Sequence, residues 1–268
     1  MMRSLWTAAS GMKAQQFNVD VIANNIANVN TVGFKRNRVE FHDLIYETMR
    51  RAYVMEDQGR PVNLQVGHGV LPAATTKLFR TGSFERTDNY LDVAIQGDGF
   101  FVVRGDGMNA EQYYTRDGSL KLSLTENGMM LTTSDGLAIL DDGGNEIYVN
   151  VDAPRLIIST NGELSYTNDA GEAEYLGYRL QIVKFQNRDG LETIGDNFFV
   201  TTSASGEPIP DDEYGRRSQL RQGYVEMSNV NIADEMVNLI VAQRAYETNS
   251  KCITTSDDML AIANTLKR

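Results

Sequence analysis

The sequence predicts a mixed fold: an α-helical, coiled-coil-like domain formed by both termini, and an all-β domain inserted between them through an extended linker. Apolar residues recur at helical spacing at both ends of the 268-residue chain, whereas short β-branched and aromatic runs separated by turn residues fill its middle. We expect these boundaries: 1–30 and 229–268 for a discontinuous helical assembly domain, 31–85 for a linker or extended segment, 86–206 for the all-β domain and 207–228 for a return segment.

The first helix is expected from about Arg3 to Asn28, because apolar side chains repeat every seven residues and a second set follows three positions later. Asn30, Thr31 and Gly33 come next, and Asn and Gly tolerate the left-handed conformation that ends helices. The two sets are Leu5, Met12, Val19 and Ile26, and Ala8, Gln15, Ile22 and Val29.

The last helix is expected to begin near Asn229 or Asn231, either of which can cap it, with Asp234 and Glu235 in its positive first turn. Burial of one helix's apolar side chains does not offset the backbone entropy lost on ordering it, so the two helices must pair and are expected to meet helices of other copies. The alternative is one intramolecular helical hairpin that caps a domain. The predicted assembly interface is Leu5, Met12, Val19, Ile22, Ile26, Val29, Ile232, Met236, Leu239, Tyr246, Ile253 and Leu260.

Between these ends, the spacing of Phe41, Leu44, Ile45 and Thr48 or Met49 is compatible with a second, shorter helix, and Glu56 to Gly69 is expected to be an extended or loop segment. Asp-Gly and Asn-Gly pairs then supply the positive φ angles of tight hairpins, so an all-β domain follows. The expected strands are Asp92 to Ile95, Gly99 to Arg104, Leu120 to Leu124, Leu156 to Ser159, Arg179 to Phe185 and Asn197 to Thr201.

Composition argues against several classes of function. A net charge of -11 and a pI near 4.7 disfavour nucleic acid and anionic membranes as partners, and no apolar run is long enough to span a membrane. Cys252 is the only cysteine, and His42 and His68 lie in separate segments without zinc-ligand spacing, so we expect no metal and no cofactor. The residues around Gly97 and Gly99 lack the Lys-Ser/Thr of a phosphate-binding loop, and we expect a tight turn there and no catalytic residues.

Four stretches resemble the signatures of bacterial flagellar rod and hook proteins, in the same order along the chain. They are residues 20–35, 92–101, 114–119 and 222–247, the last of which contains the two parts 222–231 and 243–247. The residues that carry the resemblance most clearly are Asn24, Asn25, Asn28, Thr31, Gly33, Phe34, Gly97, Gly99, Phe100 and Phe101. The chain length, the opening residues 2–6 and the segment 64–70 look most like the distal-rod members of this family.

The resemblance implies a non-enzymatic structural subunit of the flagellar basal body that polymerises with copies of itself into the hollow, periplasm-spanning drive shaft. Its implied partners are proximal-rod subunits, hook or hook-junction subunits, ring proteins of the basal body and the flagellar type III export apparatus, which would export it without a cleaved signal peptide. A hook or proximal-rod subunit is the alternative within the family. A β-rich surface binding module on a helical stalk is the alternative outside it, although a stalk would place long heptads at one end only.

Overall fold

The computed structural model describes residues 2–52, 62–105, 107, 110–126, 128–149, 155–168, 172–213 and 215–265. The expected combination of terminal helices and a β-rich middle is confirmed in this part of the chain. Its contacts divide the chain into two compact units. The helical unit comprises 1–27, 37–76 and 231–268, and the β unit comprises 28–36 and 77–230.

Helix α1 spans Met2–Ala27 and helix α2 spans Ile232–Thr265, close to the predicted bounds. Asn231 caps α2, because its side-chain oxygen accepts a hydrogen bond from the Ala233 N–H at 3.1 Å. The helices pack against each other along their length within the helical unit.

The expected short helix near Phe41 to Met49 is wrong, because this stretch forms two strands. Strand β1 (Asn37–Asp43) pairs with β4 (Val70–Lys77), and β2 (Tyr46–Arg50) pairs antiparallel with β3 (Leu64–Gly67). Cross-strand pairing with residues later in the chain therefore overrides the local helical spacing. The stretch 31–85, expected as a linker or extended segment, contains these four strands, and residues 53–61 of it lie outside the described part of the chain.

The β unit contains the other strands that the structure describes. They are β5 (Phe84–Arg86), β6 (Val93–Gln96), β7 (Phe100–Arg104), β8 (Gln112–Thr115), β9 (Lys121–Thr125), β10 (Gly128–Thr132), β11 (Tyr148–Val149), β12 (Leu156–Ile158), β13 (Glu163–Thr167), β14 (Ala173–Arg179), β15 (Ile182–Lys184), β16 (Glu192–Gly195), β17 (Phe198–Val200), β18 (Ile209–Pro210), β19 (Gln219–Gln222) and β20 (Tyr224–Glu226). Each predicted strand overlaps one of these, although the run 179–185 contains the short β15 and the last residue of β14.

The largest sheet has the order β16-β17-β8-β7-β15-β18, and two three-stranded sheets have the orders β11-β10-β9 and β12-β13-β14. Strands β5 and β6 pair antiparallel with β20 and β19, respectively. Fully buried apolar side chains from β6, β7, β10 and β13 form the centre of the main core. In a second buried hydrophobic cluster, the Phe100 ring makes edge-to-face contacts with Phe79, Phe185 and Phe199.

Candidate functional site

The carboxylate of Glu226, on β20, is the centre of a buried group of charges in the β unit. Lys35 Nζ donates to Glu226 Oε1 at 2.6 Å, and Arg116 Nε donates to Oε2 at 3.0 Å. The Gly82 N–H also donates to Oε1, at 2.8 Å. The side chains of Lys35, Arg116 and Glu226 are 0% exposed. These three residues are called the Glu226 cluster below.

Backbone groups and an aromatic ring hold the two cations in place. Lys35 Nζ donates to the Arg80 carbonyl at 2.9 Å, and Arg116 Nη2 donates to the Gly97 carbonyl at 2.7 Å. The Arg116 guanidinium also lies 5.5 Å from the centre of the Phe100 ring. Arg116 Nη1 is buried and makes no hydrogen bond within the described part of the chain. The cluster therefore places two cations around one carboxylate.

The excess positive charge changes the proton affinity of the cluster. Burial, together with the neighbouring Arg116 guanidinium, lowers the pKa of Lys35 from 10.5 to about 8. Burial by itself would raise the pKa of Glu226, but the charges of Arg116 and Lys35 outweigh it and hold that pKa below 4.5. At neutral pH Lys35 and Glu226 are therefore both charged, and their ion pair is complete.

Gly33 brings the N-terminal signature up to this cluster. Its N–H donates to the Glu226 carbonyl at 2.8 Å, and its φ of +72° lies in the left-handed region. A Cβ at this position would lie 2.9 Å from the Asp117 backbone nitrogen, so no larger residue fits without movement of the backbone. The signature glycine is thus required by conformation and by space.

The side-chain amide of Asn229 joins the segment before α2 to the backbone of Arg36, Leu78 and Arg80. Its Oδ1 accepts from the Arg36 N–H at 2.8 Å, and its Nδ2 donates to the carbonyls of Leu78 at 2.7 Å and Arg80 at 3.0 Å. Because the amide uses both its donor and its acceptor, it joins the backbone that enters the β unit to the backbone that leaves it.

In the helical unit, small and polar residues meet along the α1–α2 contact. Ser4 and Ser256 are hydrogen-bonded at 3.3 Å, a Cβ on Gly11 would lie 2.8 Å from the Asn249 amide nitrogen, and Asn25 Nδ2 donates to Glu235 Oε2 at 3.0 Å. The contact residues are seven and then fourteen positions apart on α1, and each step along α1 is matched by an equal step back along α2. This set is called the polar seam: Ser4, Gly11 and Asn25 on α1, and Ser256, Asn249 and Glu235 on α2.

The predicted interface residues are distributed over several environments. Ile22 is buried. Half-buried are Leu5, Met12, Val19, Ile26, Val29, Leu239, Ile253 and Leu260. Exposed are Ile232, Met236 and Tyr246. Their role in assembly stays a prediction.

The signature residues differ in how far they are exposed. Buried are Asn25, Gly33, Phe34, Gly99, Phe100 and Phe101; Gly97, Asn28 and Thr31 are half-buried, and Asn24 is exposed. Thr31 Oγ1 donates to Asn28 Oδ1 at 3.1 Å, which stabilises the turn after the first helical stretch.

Large apolar side chains lie on the outer sides of both helices, away from the polar seam. On α1 these are Trp6, which is 73% exposed, and Phe17. On α2, Val237, Ile240 and Val241 are 60%, 50% and 62% exposed. This set is called the outer apolar face. A groove of about 520 Å³ beside the helix pair is lined by Gln16, Val19, Gln243, Tyr246 and Glu247.

Two features of the described residues concern metal binding and membrane insertion. They contain no group of three or more His, Cys, Asp or Glu side chains arranged to hold a metal ion. No helix in this part of the chain is long and apolar enough to cross a membrane.

Comparison with known proteins connects this geometry with a family. The model described as flagella basal body rod protein matches residues 5–35, that of the flagellar hook protein FlgE/F/G D1 domain matches 94–166, and that of the flagellar basal body rod FlgEFG protein C-terminal matches 221–266. The flagellar basal-body rod protein FlgG of Borreliella burgdorferi is 49% identical over 100% of both chains. This chain belongs to the flagellar basal-body rod family.

Two other relatives show how identity varies at full length. FlgG of Bacillus subtilis is 39% identical, and the flagellar hook-basal body complex protein FlhP of the same organism is 28% identical, each over 100% of both chains. The four stretches that resemble rod and hook signatures supply the residues of the Glu226 cluster or the backbone that contacts it. Lys35 and Gly33 come from the first, Gly97 and Phe100 from the second, Arg116 from the third and Glu226 from the fourth.

Sequence reasoning missed Lys35, Arg116, Glu226 and the polar seam as sites. A signal was present, because each of the three charged residues follows apolar or aromatic neighbours within a signature stretch, where a solvated charge is out of place. The seam gave a weaker signal, because small and polar residues at heptad spacing are usually interruptions of an apolar pattern.

Proposed function

We propose that this chain is a structural subunit of the distal rod of the bacterial flagellum, which polymerises into the hollow shaft that transmits torque between the proximal rod and the hook. The observation that carries the proposal is the outer apolar face of the helical unit, which leaves large side chains on both helices without cover in a single copy. The full-length similarity to flagellar basal-body rod proteins agrees with it.

The chemistry of the outer apolar face suits a second copy of the chain. Both helices contribute large apolar side chains to it, so helices of neighbouring copies can cover one another with apolar contacts. Packing of this kind gives a coiled-coil-like helical layer, and repetition of a contact between unlike surfaces produces an open helical filament. A non-enzymatic role follows, because the buried charges are used within the fold.

The proposal extends to location and partners. The subunit is placed in the periplasm-spanning rod, delivered by the flagellar type III export apparatus without a cleaved signal peptide. It contacts proximal-rod subunits at one end, hook or hook-junction subunits at the other, and ring proteins around the shaft. We further propose that residues 1–30 and 229–268 act as the helical assembly domain and that 86–206 act as the all-β domain, joined by 31–85 and 207–228.

Electron microscopy of the purified chain under polymerising conditions tests the proposal. Val241→Asp places a charge on the outer apolar face and is expected to prevent rod formation, because a charge in a desolvated contact is costly. Thr254→Asp, at an exposed position outside the outer apolar face of the same helix, is the matched control and is expected to assemble.

Two sequence-predicted positions extend the test. Ile22→Asp and Leu239→Asp are expected to block assembly while the circular dichroism of the β unit is retained. Rods formed equally by the parent, Val241→Asp and Thr254→Asp would show that the outer apolar face is not an assembly surface. A parent chain that never forms rods or tubes would contradict the proposed function itself.

A further inference from the structure

We propose that the hydrogen bond between Asn25 and Glu235 sets the register in which α1 and α2 pair, and that the polar seam serves to position the helices more than to hold them together. The two residues are therefore positioning residues. They fix which outer side chains of α1 and α2 lie next to each other.

The polar seam has small, polar and charged residues where packed helices usually have large apolar ones. Between packed helices, large apolar residues at the contact positions supply most of the stability. Here the polar seam supplies serine, glycine, asparagine and glutamate, and the buried apolar residues of the two helices are Ala8, Ala14, Ile22 and Ala242, while Trp6 and Val241 face outward. Little apolar surface is buried along the polar seam, so stability does not account for its residue types.

The three contacts of the polar seam share one register. Ser4 with Ser256, Gly11 with Asn249 and Asn25 with Glu235 all belong to a single antiparallel alignment. The small residues would tolerate a slip of seven positions, because serine and glycine leave room for the new neighbours. Such a slip would place Glu235 opposite Asn18 and leave Asn25 beyond the start of α2.

The Asn25 amide is held in place by hydrogen bonds to strand β1 and to α2. Its Oδ1 accepts from the Asn37 N–H at 2.8 Å, and its Nδ2 donates to the Asn37 carbonyl at 2.8 Å and to Glu235 at 3.0 Å. Asn25 and Glu235 are each 1% exposed. Strand β1 therefore fixes the amide, and only one alignment of α2 brings a carboxylate to it. A buried polar partner at one contact position is the known device for specifying register.

Intrachain disulfides can report the register. In a Cys252→Ser background, Ser4→Cys with Ser256→Cys reports the observed alignment, and Ser4→Cys with Asn249→Cys reports a slip of seven residues. The purified full chain is oxidised both dilute and under polymerising conditions, and intrachain products are identified on non-reducing gels and by peptide mass mapping.

The parent is expected to form the 4–256 disulfide and little of the 4–249 disulfide. Asn25→Leu with Glu235→Leu is expected to raise the ratio of slipped to aligned product about tenfold or more, because the aligned pair loses the hydrogen bond between the Glu235 carboxylate and the one amide that Asn37 holds in place. Glu235→Gln keeps an acceptor for Asn25 and is expected to keep the parent ratio.

A double variant with the parent ratio would overturn the proposal, as would a parent in which both disulfides form equally under both conditions. If the double variant loses helical circular dichroism, Glu235→Ala repeats the test and must raise the ratio as well. The ratio is read within single chains, so a chain that keeps its register and forms no rods counts against the proposed function alone.

Discussion

Replacement of Glu226 by glutamine should destabilise the β unit more than any surface substitution. The change removes the single carboxylate that Lys35 and Arg116 share at a site with 0% exposure, and it turns an amide donor towards two cationic donors. Removal of one partner from a buried ion pair costs about 3–5 kcal/mol, because the remaining charge stays buried and uncompensated. That is a large part of the roughly 5–15 kcal/mol that stabilises a typical domain.

Urea unfolding followed by circular dichroism measures the effect. With a slope of about 2 kcal/mol per M, the midpoint of Glu226→Gln should fall by about 2 M. Glu85→Gln is the matched control, because Glu85 is exposed and lies opposite Val225 on the paired strand β5. Trypsin provides a second readout, since the peptide bond after Lys35 should become cleavable in the variant under native conditions.

A midpoint for Glu226→Gln that equals that of Glu85→Gln would refute this account of the cluster. A third variant separates the charge from the packing. Lys35→Met, Arg116→Met and Glu226→Met together leave no buried charge, so this triple variant should recover much of the lost stability. If the triple variant is as unstable as Glu226→Gln, packing and the bonds to the Arg80 and Gly97 carbonyls matter more than charge.

The remaining predictions concern pH, conformation and stiffness. The pKa of Glu226 is held below 4.5 in the folded chain, so its stabilising contribution is complete above that value and is lost as the pH falls through the folded pKa; urea midpoints of the parent should drop in acid, and those of Glu226→Gln should lack this component. Lys35 gives a dependence of the same sign at alkaline pH: between about pH 8 and 10.5 the unfolded chain holds a proton that the folded chain has released, so its contribution to stability rises with pH in that window and Lys35→Met should abolish the rise. Gly33→Ala should lower the melting temperature more than Gly136→Ala, since both glycines have positive φ but only Gly33 has backbone within 3.0 Å of the added Cβ; equal losses in calorimetry would exclude crowding. Deletion of residues 56–65, of which 56–61 lie outside the described part of the chain, should leave a polymer that forms but bends more easily, and an unchanged persistence length in electron micrographs would make this segment a passive tether.

The sequence predicted those features that depend on local pattern. The bounds of α1 and α2 followed from apolar spacing and from the cap candidates Asn229 and Asn231, and six strand positions in the β unit followed from β-branched runs between turn pairs. The prediction of a helix from Phe41 to Met49 failed because the pairing partners of this stretch lie in β3 and β4, and local spacing carries no information about them. The apolar heptads also gave no information on which side of each helix faces the other.

The sequence signal did not show which residues of the Glu226 cluster pair with each other, for a physical reason. Lys35 and Glu226 are 191 residues apart, and Arg116 and Glu226 are 110 apart, so only the completed fold brings them together. A buried charge differs from a solvated one only through its surroundings, and those are made of segments distant in the chain. The signature stretches indicated where to look without indicating which atoms would meet.

The pairing of β5 with β20 and of β6 with β19 has a consequence for the order of folding. These pairs join the first strands of the β unit to its last two, so the loop closed by each contains most of the unit and its closure is slow. A chain that emerges N-terminus first must leave β5 and β6 unpaired until residues 219–226 are present. Both strand pairs therefore form only when the final strands are present, and a shortened chain that lacks residues 219–226 leaves β5 and β6 without these partners.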